Sequence, residues 1–167
     1  KEKLLNYKRI GIESNDISLK FFNEMKKYFP KAKFIDINVE LIKYFSLCDD
    51  EILRRFKKAV SISKMVYKNV INEIRENITE ADISAMILYL SKKFGADDVA
   101  FSPIVAFGEN SAKPHSIPSN RKLKNNEVVL IDLGATYKGI SCDFTRTIFF
   151  GQKVDEEFFK LNVLIKN

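Results

Sequence analysis

The stretch VVLIDLGATYKGISCDFTRT, residues 128–147, constrains the fold more than any other part of this chain. An apolar run from Val128 to Leu133 carries one carboxylate, Asp132, and a second strand-like run beyond a short turn carries another, Asp143. Two such runs joined by a turn read as a hairpin. A turn at Tyr137–Lys138 sets Asp132 directly opposite Asp143, on one sheet face, with Cβ atoms about 5 Å apart. Like charges so placed destabilise a sheet, and burying an ionised carboxylate without compensation is expensive. Three arrangements relieve this cost. The pair shares a proton, as carboxylate dyads do. A divalent cation with oxygen ligands sits between them. Or one Asp points to solvent while the other caps a turn. Spacing alone leaves all three open.

The segments before the hairpin alternate between helical and extended texture. Residues 8–37 read strand–helix–strand: KRIGIE, a helix with apolar Ile17, Phe21, Phe22, Met25 and Phe29, and KFIDI. Ser14, Asn15 or Asp16 is expected to cap that helix, and Pro30 to stop it. One βαβ unit is too small to bury a core alone. A short helix and connection fill residues 39–48, and a domain boundary is placed near residue 48. Asp49 or Asp50 then caps a long amphipathic helix running to about Asn77. Its inner stripe is Ile52, Phe56, Ala59, Val60, Ser63, Val66, Tyr67, Val70 and Ile74. Thr79 and Asp82 form a capping box for a second helix, Glu80–Phe94, ended by Gly95. VAFSPIVAFG reads as a strand ending at Gly108. ENSAKPHSIPSN is a loop holding His115, the single histidine of the sequence. Residues 154–167 begin another helix, with Asp155 as its cap.

The charge of +6 comes from lysines spread over the polar faces of helical segments, with no nucleic-acid motif beside them, so a solvated surface is expected rather than a nucleic-acid partner. No apolar run approaches the roughly 20 residues of a membrane span. Cys48 and Cys142 form neither a CxxC nor a disulfide framework, which fits a reduced, cytoplasmic setting.

The stretch IVAFGENSAKPHSIPSNRKL followed by VVLIDLGATYKGISCDFTRTIFFG resembles the pita-bread metallopeptidases, the family of Xaa-Pro aminopeptidase, prolidase, methionine aminopeptidase and creatinase. The matching elements are Pro114-His115, then Asp132-Leu133-Gly134, then Asp143-Phe144-Thr145-Arg146-Thr147. They are spaced by 17 residues from His115 to Asp132 and 11 from Asp132 to Asp143. The F-G-x-N-S-A-x-P-H loop and the T-R-T after the second Asp are more similar to the Xaa-Pro branch.

This resemblance implies an α+β fold: residues 49–167 as the first half of a pita-bread catalytic domain, preceded in residues 1–48 by the end of a βαβ N-terminal domain. It implies two divalent metal ions (manganese, cobalt or zinc), with Asp132 as a ligand to one and Asp143 bridging both. His115 would lie on the substrate side and hydrogen-bond the scissile group. The substrate would be a peptide or dipeptide with proline in second position, and the full-length protein a homodimer. The family's remaining ligands, one His and two Glu, have no match here; Glu156 and Glu157 read as first-turn charges on a helix. The chain therefore reads as an incomplete and inactive fragment. The alternatives are a non-catalytic pita-bread domain that binds peptides and, less favoured by the retained Asp pair, creatinase-type chemistry.

Overall fold

The computed structural model describes residues 7–46, 49–152 and 158–160. The chain divides into two units, Lys1–Asp49 and Asp50–Asn167. In the first, β1 (Arg9–Ile12) and β2 (Lys33–Asp36) pair in parallel, with Arg9 opposite Lys33, and α1 (Leu19–Tyr28) connects them. Helix α2 (Asn38–Phe45) follows. The βαβ unit is as expected, but its helix starts later. Ser18 is the cap, its side chain accepting from the Phe21 N–H. Residues 14–16 are spent on a turn instead: the N–H groups of Asp16 and Ile17 donate to the Glu13 carbonyl, and the Ser14 hydroxyl donates to Asp36.

In the second unit, α3 (Asp50–Ile71) and α4 (Glu80–Lys93) supply the helical side of one core. Ala59, Ile62, Val66 and Val70 of α3 and Ile83, Ile87 and Leu90 of α4 are buried with Val105, Phe107, Val129, Ile131 and Leu133 of the strands. Ile62 joins the expected stripe of α3, while Phe56 at its solvent margin stays 42% exposed. The helix also ends six residues before Asn77. Glu73 N–H turns back to the Val70 carbonyl, and Asn77 takes a left-handed φ of 68° and donates to Leu123. The Thr79–Asp82 capping box then starts α4. Among the described residues no helix is long and apolar enough to cross a membrane.

The strand region is more broken than the sequence pattern implies. The expected strand 99–108 is two pieces in different sheets, β3 (Asp98–Val99) and β4 (Ile104–Phe107), interrupted around Pro103, which has no N–H to give a ladder. The expected hairpin is likewise four strands: β5 (Glu127–Leu133), β6 (Ala135–Tyr137), β7 (Ile140–Ser141) and β8 (Phe144–Phe150). One sheet has the order β4-β5-β8, the other β3-β6-β7, so the hairpin crosses from one to the other at Gly134 on its outgoing arm and at Cys142–Asp143 on its return.

Gly134 sits where three segments meet. A Cβ there would lie 2.1 Å from the Cys142 carbonyl oxygen and 2.9 Å from the Ala100 methyl. Helix α3 braces the same place through Ser63, which is buried. Its hydroxyl accepts from the Ala135 N–H at 3.0 Å and lies 3.1 Å from the Cys142 sulfur.

The turn also falls one residue later than expected. Lys138 and Gly139 both have positive φ, 48° and 76°, the pattern of a two-residue primed turn that matches strand twist. Tyr137 therefore pairs with Ile140, and in the other sheet Asp132 pairs with Thr145, not with Asp143. The carboxylates are not directly opposed. The expected helix cap Asp155, with Glu156, Glu157 and Cys48, lies outside the described residues; residues 158–160 are helical.

Since no backbone carbonyl can vacate the space that a Gly134 methyl needs without opening the crossing, Gly134→Ala should destabilise the protein by about 1–3 kcal/mol, the usual cost of overpacking. A urea midpoint equal to that of the unaltered protein would show that the crossing yields freely.

Candidate functional site

Along β5 the side chains alternate. Val129, Ile131 and Leu133 are buried in the core, which turns Asp132 to the other face of the sheet. There its partner across β8 is Thr145, whose hydroxyl donates to Asp132 Oδ1 at 2.7 Å. Asp143 precedes β8, in the crossing segment, and is exposed. His115 is exposed in the turn that follows a short 3-10 helix, Gly108–Ala112. All three line one cleft of about 600 Å³, walled by Phe101, Pro103, Ile104, Ile117 and Pro118. The register differs from the expected one, yet the structure brings Asp132, Asp143 and His115 together, because the sheet crossing folds the Asp143 segment back toward β5.

The electrostatics of the pair are unfavourable as the chain stands. Burial raises the Asp132 carboxyl above the ordinary carboxylate range. The Thr145 hydrogen bond and the nearby His115 oppose that rise, and the Asp143 carboxylate adds to it, with a net upward shift. A divalent cation relieves this strain, and carboxylate oxygens are the donors that hard or borderline dications accept. Asp132 and Asp143 thus fit a cation in charge and donor type. They do not complete its shell: among the described residues no group of three or more His, Cys, Asp or Glu gathers closely enough to hold a metal.

Glu80, read from the sequence only as the first residue of the second helix, has a larger role in the structure. It is completely buried. Its oxygens accept from the Phe107 N–H (2.8 Å), Asn110 Nδ2 (3.0 Å), the Ser119 N–H (3.0 Å) and the Ser119 hydroxyl (2.6 Å). Burial works to raise its carboxyl, but the Ser119, Phe107 and Asn110 bonds prevail and hold it below the usual range. One signal was available: Glu80 lies on the same helical stripe as buried Ile83 and Ile87. Nearby, the Arg121 guanidinium grips the Glu127 carboxylate in a two-pronged pair at 2.7 and 2.9 Å. This ties the chain after the loop to the start of β5.

Comparison with known proteins bears on the family and the fold. The family model described as Metallopeptidase family M24 matches residues 54–164. An uncharacterized peptidase of Staphylococcus aureus is 27% identical over 158 residues, 95% of this chain and 45% of the relative. Among solved structures, an X-Pro aminopeptidase from Thermotoga maritima superposes with a TM-score of 0.88 at 32% identity, over 98% of this chain and 47% of its own. An Xaa-Pro dipeptidase from Bacillus anthracis gives 0.89 at 27% identity, over 95% and 44%. The mixed α/β fold is the one these enzymes share, and the chain spans about half the length of the curated relatives it matches.

A carboxyl raised above its unfolded value favours folding at low pH, and that contribution disappears as pH climbs through the raised value. In chelator-treated protein, Asp132→Asn should therefore raise Tm by a few degrees at neutral pH. It should leave Tm nearly unchanged below pH ~3, where an ordinary Asp is already protonated. A lower Tm at neutral pH would mean that the ionised form of Asp132 is the favoured one.

Proposed function

Because the chain belongs to metallopeptidase family M24, we propose that it supplies one wall of a dinuclear-metal peptidase site that removes an N-terminal residue linked to proline, from a peptide or a dipeptide. The observation that carries this reading is the convergence of Asp132, Asp143 and His115 on one cleft. It is supported by solved look-alikes that bear the names X-Pro aminopeptidase and Xaa-Pro dipeptidase. Asp132 and Asp143 would be the residues of this chain that hold the dications, manganese, cobalt or zinc. When bound, such ions activate water and polarise the peptide carbonyl.

The chain's own groups do the rest. Thr145 fixes the rotamer of Asp132 through its 2.7 Å hydrogen bond, an orienting contact of the kind that tunes metal ligands. His115 donates a hydrogen bond to the scissile group and stabilises the charge that develops there. Phe101, Pro103, Ile104, Ile117 and Pro118 give the cleft an apolar lining that suits a pyrrolidine ring. With two carboxylates and a single histidine, this chain alone binds dications weakly and hydrolyses peptides poorly.

The test is hydrolysis of an Xaa-Pro dipeptide and an Xaa-Pro-Yaa tripeptide with added manganese or cobalt, using this chain and any longer natural form that contains it. Cleavage by the longer form, with Asp143→Ala lowering kcat/KM at least about a hundredfold and His115→Ala lowering kcat by roughly 10²–10³ at similar KM, is the expected result. Peptide binding without cleavage under every metal would favour a non-catalytic binding module. Full activity of these 167 residues alone would overturn the view that the site is incomplete.

A further inference from the structure

The loop that carries His115 has few apolar anchors of its own, and Glu80 occupies the place where an anchor would be. An ionised carboxylate buried without partners is expensive. Here it is surrounded by four uncharged donors, none of them from its own helix. The donors bracket the loop. Phe107 is its last strand residue, Asn110 lies in its first turn, and Ser119 follows His115 by four positions.

The backbone of the same helix start adds two more ties, from Glu80 N–H to the Arg121 carbonyl and from Ala81 N–H to the Ser119 carbonyl. The first-turn capping duty is met by Thr79 and Asp82, whose side chains bond each other's backbone N–H. This leaves the Glu80 carboxylate free to face the loop. Its acidity, held below the usual range, is that of a group kept ionised by its donors.

We propose that Glu80 is a positioning residue for the cleft: one buried carboxylate closes both ends of the 108–119 loop and thereby fixes His115 at the rim shared with Asp132 and Asp143. The importance of that placement for turnover rests on the peptidase reading above, whereas the clamp itself does not. The geometry demands Glu rather than Gln. All four donors point at carboxylate oxygens, and a glutamine amide nitrogen can accept from none of them. Glu80→Gln therefore keeps shape and volume while breaking the bonds at one end of the loop.

The experiment is amide hydrogen exchange across residues 107–119, with the ring signals of His115 read by NMR in the same samples. His115 is the sole histidine of the chain, so its signals need no assignment. In Glu80→Gln the amides of Phe107 or Ser119 should exchange at least about tenfold faster, the effect of losing one hydrogen bond to a charged group. The His115 ring signals should move, and the amides of Ile83–Leu90 should stay as protected as before.

If Glu80→Gln does not fold, Ser119→Ala, which deletes only the 2.6 Å hydroxyl bond, should show the same pattern in weaker form. Unchanged loop exchange and unchanged His115 signals in a folded variant would overturn the proposal. A loosened loop with displaced His115 signals, but undiminished hydrolysis of an Xaa-Pro substrate by an active form, would uphold the positioning role. It would overturn instead the catalytic role given to His115.

Discussion

At Gly134 the chain of β5 leaves one sheet for another, and the Cys142 carbonyl of the returning arm occupies the space a side chain would need. Much of the second unit follows from that contact. It lets the two arms of the hairpin cross without spreading. It gives Ser63 of α3 a pair of buried partners, Ala135 and Cys142. It also ends the β5–β8 ladder at Leu133 and Phe144, so that Asp143 stands just outside the regular pairing while Asp132 stands just inside it. The two carboxylates share a cleft while belonging to different backbone environments, one half-buried and hydrogen-bonded by Thr145, the other exposed.

That difference has electrostatic content. Neighbouring carboxylates in equivalent surroundings compete for the same proton, whereas unequal surroundings decide in advance which one yields. Burial makes Asp132 the carboxyl that resists ionisation, and the Thr145 hydrogen bond offsets only part of this. Glu80 is a carboxylate of the opposite kind. Glu80 is wholly buried yet held ionised, because each of its lone-pair directions meets a donor.

The sequence made the elements legible wherever periodicity and capping chemistry were strong. The Thr79–Asp82 box and the buried stripe of α3 were visible because each depends on neighbours three or four positions apart, and the βαβ unit of residues 8–37 because two short apolar strands flank a run of helical period. Asp132 and Asp143 were visible as carboxylates inside strand-like runs, and His115 through the resemblance of its Pro-His loop to the pita-bread family. What escaped was set by long-range geometry. The turn moved to Lys138–Gly139 because two residues adopted positive φ, and this replaced Asp143 by Thr145 opposite Asp132. The break at Gly134 answers to a crossing of three segments, which no local pattern encodes. Glu80 escaped for the same reason: its donors come from residues 27 to 39 positions away.

The order β4-β5-β8 leaves β8 with one flank unpaired among the described residues. An unpaired flank is a template, and in an antiparallel or parallel ladder it dictates which face every added residue will take. Alternate side chains of a strand laid along β8 would emerge on the face that bears Asp132, and those aligned with Thr145 would arrive beside the cleft. Distance in the chain then ceases to matter. A donor from anywhere in sequence could be delivered to the carboxylates by a choice of register alone, with the hydrogen-bond ladder acting as the ruler.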